Sequence, residues 1–201
     1  MGMIKTALEI ALEKTESVKS DKDSIEQYEA KQKGKKLAND FLTDGADLAG
    51  VIKKTSSGYQ ESVKQGVFDV LITQITLPGN NEGDILRLEK LGKGLDIILN
   101  NSRFNVLFRQ MKEILSKYLQ EAEHYDRMLR QQFAPKLRQK EEEIARRIGR
   151  EIHIDPMQDP EFIAFYNQHI TALKGNYEEI IEQFKEEVRN MMKKAQGCKP
   201  I

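Results

Sequence analysis

The sequence predicts an all-α protein, an elongated helical bundle built on a long antiparallel helical hairpin. Three observations carry this expectation. Apolar residues recur at steps of three and four along most of the chain, the period of a helix face. The 201 residues hold 32 Lys or Arg and 32 Asp or Glu, so wide solvated faces must flank narrow apolar seams. The five prolines leave residues 1–77 and 79–134 uninterrupted. Leu, Ile, Val and Phe number 52, about a quarter of the chain and enough for a core. The absence of Trp, with 7% aromatics, fits seams better than a thick interior.

From Ile4 the residues Ala7, Leu8, Ala11 and Leu12 keep helical spacing, and Lys-Ser-Asp-Lys-Asp at 19–23 is expected to end that helix and cap the next. Ile25, Tyr28, Leu37, Ala38, Phe41 and Leu42 are the apolar points of a second helix, and the almost wholly polar stretch from Gln27 to Lys36 predicts that it is half-exposed. A turn at Asp44–Asp47 leads to a short helix carrying Leu48, Val51 and Ile52, and Thr55-Ser-Ser-Gly58 reads as a link. Residues 1–56 are thus expected to form an N-terminal helical appendage, or to pair with a second copy. Residues 57–201 are expected to form the bundle.

Tyr59, Val63, Val67, Val70, Leu71 and Ile75 read as helix despite their β-branched content, because strict alternation fails at Val70, Leu71 and Ile72. Pro78 to Gly83 is a loop, after which Asp84 is expected to cap a helix bearing Ile85, Leu88, Leu91, Leu95, Ile98 and Leu99. Gly92 and Gly94 in that helix cost about 1 kcal/mol each unless a neighbouring backbone packs close. Asn100-Asn101-Ser102 breaks the chain again. Phe104, Phe108, Met111, Leu115, Tyr118, Ala122, Tyr125 and Leu129 then follow at alternating steps of four and three, the spacing of a coiled-coil seam. Only Pro135 can kink this rod, and Leu137, Ile144 and Ile148 are expected to extend its stripe before Gly149 stops it. After a short extended crossing, Asp159-Pro160-Glu161 starts a last helix whose seam runs through Phe162, Tyr166, Ile170, Leu173, Tyr177, Ile180, Phe184, Val188 and Met191. Two long seams joined by a short connection are best satisfied by folding back on one another.

Few motifs point to chemistry. There is no P-loop, dinucleotide fingerprint, G-x-S-x-G, C-x-x-C or H-E-x-x-H. Glu121 and His124 form a Glu-x-x-His pair of the kind that ligates metal in helical bundles, but no second copy of the motif accompanies it. His153 and His169 become candidate bases only if a carboxylate meets them in space. Arg127 to Arg150 carries a net +5, an opening for nucleic acid, yet Glu141, Glu142 and Glu143 in its middle fit ion pairing along a solvated helix better. Glu178, Glu179, Glu182, Glu186 and Glu187 offer a counterpart or a partner-facing surface.

Compartment follows from composition. The lone Cys198 excludes an intrachain disulfide, no apolar run approaches a membrane span, and no signal peptide is visible. Met1, Gly2 and Thr6 match a myristoylation pattern, although Met3 reads as the natural start. The expected protein is cytoplasmic and holds no cofactor or metal. Its expected role is non-enzymatic interaction or scaffolding with a protein partner or a second copy. A metal or redox role for Glu121 and His124 is the first alternative, and nucleic-acid association through Arg127 to Arg150 the second.

Overall fold

A computed structural model describes residues 7–79 and 82–197, with side chains described from Asp23 onward, Glu82 excepted. The expectations placed on Met1, Gly2, Thr6 and Cys198 lie outside the described residues. The chain is all-α: α1 (Ala7–Asp44), α2 (Leu48–Lys54), α3 (Gln60–Thr73), α4 (Glu82–Leu99), α5 (Ser102–Ile148) and α6 (Pro160–Ala195), with a 3-10 turn at Pro156–Gln158. No strand occurs among the described residues.

The helix ends follow local chemistry. Gly45, at φ +73°, closes α1 by donating its N–H to the Phe41 carbonyl, and Asp47 caps α2 by accepting from the Gly50 N–H at 2.9 Å. Asn100 takes the left-handed conformation after α4, and Gly149 does so after α5. Two expected boundaries move. Lys19–Asp23 does not break α1, since without Gly or Pro the Ser and Asp there cost only about 0.5 kcal/mol each in a helix interior. Asp84 does not cap α4 but lies within its first turn, where its carboxylate accepts the Gly79 N–H at 2.6 Å and ties down the preceding loop.

The chain divides into two compact units. The first comprises residues 1–75, 86–102 and 191–201. Its main packing is α1 against α3, where Ala30, Leu37 and Ala38 are buried, as are Val63, Val67 and Leu71. Ile25 and Tyr28, two of the apolar points of α1, are 59% and 64% exposed. The contact face of α1 is instead set by small residues, with Gly34 at its centre.

The second unit comprises residues 76–85 and 103–190. Here α5 and α6 run antiparallel. Phe108 meets Phe184, Tyr118 meets Tyr177 and Phe133 meets Phe162, so the partner's number falls as the position on α5 rises. Phe104, Met111, Leu115 and Leu129 are buried as their spacing predicted. Pro135 lies inside α5 and contributes no amide to the helix ladder. Beyond Leu137 the stripe departs from expectation. Ile144 and Ile148 are exposed, because α6 begins opposite Phe133 and offers nothing further along to cover them.

Candidate interaction sites

The end of the second unit is organised by Asp159. Its carboxylate accepts the backbone N–H groups of Glu161 and Phe162, both at 2.9 Å, which is the cap that starts α6. The other oxygen takes the Lys140 ammonium at 2.6 Å, joining α5 to the start of α6. That bond holds the Asp159 carboxyl below the usual carboxylate range and raises Lys140. Glu161 pairs with Lys136 and Lys140, at 2.8 and 2.9 Å, and is held low for the same reason. Beneath these charges Phe162 is fully buried against Phe133, with the Arg130 guanidinium over its ring.

The crossing between α5 and α6 is fixed by Glu141. One of its oxygens accepts the Ile154 N–H at 2.8 Å and lies 3.0 Å from Nδ1 of His153. A carboxylate thus meets one of the two candidate bases, but His153 is 88% exposed and the carboxylate also holds backbone. His169 is placed otherwise, its ring against Phe165 and its Nδ1 2.8 Å from the Phe165 carbonyl.

The basic stretch is largely neutralised by its neighbours. Arg130 pairs with Asp126, Arg146 with Glu142 and Arg147 with Glu143, in addition to the two lysines on Asp159 and Glu161. Of the acidic stretch, Glu182 pairs with Lys185, Glu186 with Arg189 and Glu187 with Arg103, so these three are engaged within the chain. Burial raises the Tyr177 phenol, and Glu121, which accepts from its hydroxyl, raises it further. Among the described residues no group of three or more His, Cys, Asp and Glu could hold a metal ion, and Glu121 and His124 gain no further ligand. No helix among them is long and apolar enough to cross a membrane.

Two surfaces remain that sequence reasoning did not find. The first is the bare end of α5, where Ile144 and Ile148 share one face at a spacing of four. The second is a groove of about 540 Å³ among α1, α2 and α3 in the first unit. Ala30, Leu37, Val51 and Val63 line it with apolar surface, and Glu26, Glu29, Lys33, Thr55, Ser56 and Tyr59 supply polar groups. The Tyr59 hydroxyl donates to Glu26, which raises the phenol above its ordinary value. Nothing in the spacing signals the groove, because α2 and the turn before α3 build one side of it.

The chain belongs to a family of unknown function, DUF6657, which matches residues 49–190, well over half its length. Nothing matches the chain among curated proteins or solved structures.

Proposed function

We propose that this chain is a non-enzymatic helical interaction or scaffolding protein of the cytoplasm that works as a homo-oligomer. The observation that supports the reading is the uncovered end of the α5 stripe, where Ile144 is 38% exposed and Ile148 49%. Glu142, Glu143, Arg146 and Arg147 flank these isoleucines, so both signs of charge border an apolar strip. A surface of mixed sign around an apolar centre is self-complementary about a two-fold axis, with acid meeting base on both sides. Four half-exposed isoleucines from two copies contribute about 4 kcal/mol in total. That sits at the low end of the roughly 4–15 kcal/mol that association costs, so the contact forms only at high concentration or with help from the paired charges.

Light scattering of the full chain across a concentration series tests the proposal. The mass rises towards that of a dimer, and the double variant Ile144→Ser, Ile148→Ser stays at the monomer mass with unchanged helix content. A wild-type chain that remains monomeric at its highest soluble concentration removes self-association through this end.

A further inference from the structure

Between α5 and α6 the chain passes through residues 151–155 without a turn or a bend. Burial alternates along them: Glu151, His153 and Asp155 are exposed, whereas Ile152 and Ile154 are half-buried. That is the two-residue period of an extended backbone with one face covered. Ile154 packs against Phe133, Leu137 and Phe162, and Asp155, at φ −63° and ψ 124°, keeps the extended form up to the 3-10 turn. Glu141 holds the segment in place through the Ile154 N–H at 2.8 Å and Nδ1 of His153 at 3.0 Å.

The backbone groups of an extended segment alternate between two edges. With the Ile154 N–H turned to Glu141, those of Glu151, His153 and Asp155 turn to the opposite edge. There the Asp155 carbonyl accepts the Gln158 N–H at 2.9 Å. The amides of Glu151, His153 and Asp155 and the carbonyls of Glu151 and His153 meet no partner among the described residues. A row of open amides and carbonyls on a straight, anchored backbone is a template for an added strand. Charge decides what pairs there. Neither Glu151 nor Asp155 is ion-paired among the described residues. The Asp155 carboxylate accepts the Met157 N–H at 3.0 Å, and Arg130, which its charge reaches, is already bonded to Asp126 at 2.8 Å. A second copy laid antiparallel about His153 would set Glu151 against Asp155 twice over, a destabilising match of like charges. A strand bearing cations at those two places meets opposite charge instead.

We propose that the open edge of residues 151–155 takes up an extended segment of a partner protein as an antiparallel strand, with Lys or Arg opposite Glu151 and Asp155. The two cations lie four residues apart, and the residue midway between them stands opposite His153. The inference shares with the interaction reading only the assumption that the ligand is a protein, and it uses neither Ile144 nor Ile148.

Fluorescence anisotropy with the full chain and a labelled peptide of about nine residues centred on Lys-Val-Thr-Val-Lys tests it. The peptide binds saturably, and its counterpart with Glu for both Lys binds about tenfold more weakly or not at all. Methylating the backbone nitrogen of the Thr, which faces His153, abolishes binding, whereas methylating that of a Val, on the far edge, leaves it. On the protein side His153→Pro removes an edge amide and loses the peptide, while His153→Ala keeps the amide and the binding. Absence of saturable binding overturns the proposal. So do equal binding of the Glu peptide, indifference to the methylated Thr nitrogen, and equal loss in both His153 variants. A chain whose own mass doubles, and falls back with His153→Pro, assigns the edge to a second copy and overturns it too. The Ile144→Ser, Ile148→Ser variant binds the peptide as the wild type does, so a failure of self-association through those residues is told apart from a failure here.

Discussion

Gly34 of α1 and Gly66 of α3 bring the two helices into reciprocal backbone contact. A Cβ at Gly34 would fall 2.1 Å from the Val63 carbonyl oxygen, and one at Gly66 would fall 2.0 Å from that of Lys31. Each glycine therefore makes room for a carbonyl on the helix that carries the other. Lys31 also reaches Asp69 at 2.8 Å, clamping the same crossing from its edge.

The sign of a Gly→Ala change separates this contact from simple helix propensity. Propensity favours Ala by about 1 kcal/mol in a helix interior. At Gly34 and Gly66 the methyl would meet backbone that cannot swing aside, so each variant loses about 3 kcal/mol or more in urea unfolding. Gly175 of α6 has open space around its missing Cβ, and Gly175→Ala gains about 0.5–1 kcal/mol. At Gly94 the nearest atoms are Leu71 Cδ1 at 2.7 Å and Phe41 Cε1 at 3.0 Å, side-chain ends that can shift, so the loss there is smaller than at Gly34.

Acid stability depends on Asp159. Its folded value is depressed, chiefly by Lys140, so its contribution is complete above the ordinary carboxylate value of 3.8 and fades as pH falls through the lower folded one. Chemical denaturation on the acid side shows a stability decline that Asp159→Ala flattens. At neutral pH the same variant costs about 1–2 kcal/mol through the lost cap.

Alkaline stability depends on the seam tyrosines. Burial raises Tyr118 above the ordinary 10.0, so its contribution is full below that value and is lost as pH climbs through the folded one. Ultraviolet titration of phenolate absorbance records a component above 10 that loses one phenol's amplitude in Tyr118→Phe.

The aromatic contact at Phe162 anchors the start of α6. Phe162→Ala removes a fully buried ring and costs about 3–5 kcal/mol in thermal or urea unfolding. Ile163→Ala, one residue along and 37% exposed, costs much less.

Much of this fold is legible in the spacing of apolar residues. The α5 seam from Phe104 to Leu129 and the α6 seam from Phe162 to Met191 were readable because each repeats often enough for its period to stand out. Asp159 was readable as a helix start because an acidic side chain before proline has few other uses. The close approach of α1 and α3 was not, since Gly34 lies in a polar stretch and small residues leave no hydrophobic signal. Tyr28 and Ile25 show the converse, as apolar residues whose burial depends on where a neighbour lies. Ile144 and Ile148 keep the period of α5, and only the position at which α6 begins decides that they are bare. The groove around Tyr59 depends on three elements meeting, which no local pattern encodes.

Pro135 removes one rung from the hydrogen-bond ladder of α5. The carbonyl of Gln131 has no amide to receive four residues later, so protection carried along one stretch is not handed on intact to the next. Deuterium uptake should therefore show separate kinetics on either side of the proline. The portion nearer Phe104 exchanges last, and that bearing Ile144 and Ile148 exchanges early, opening and closing as an independent cooperative segment.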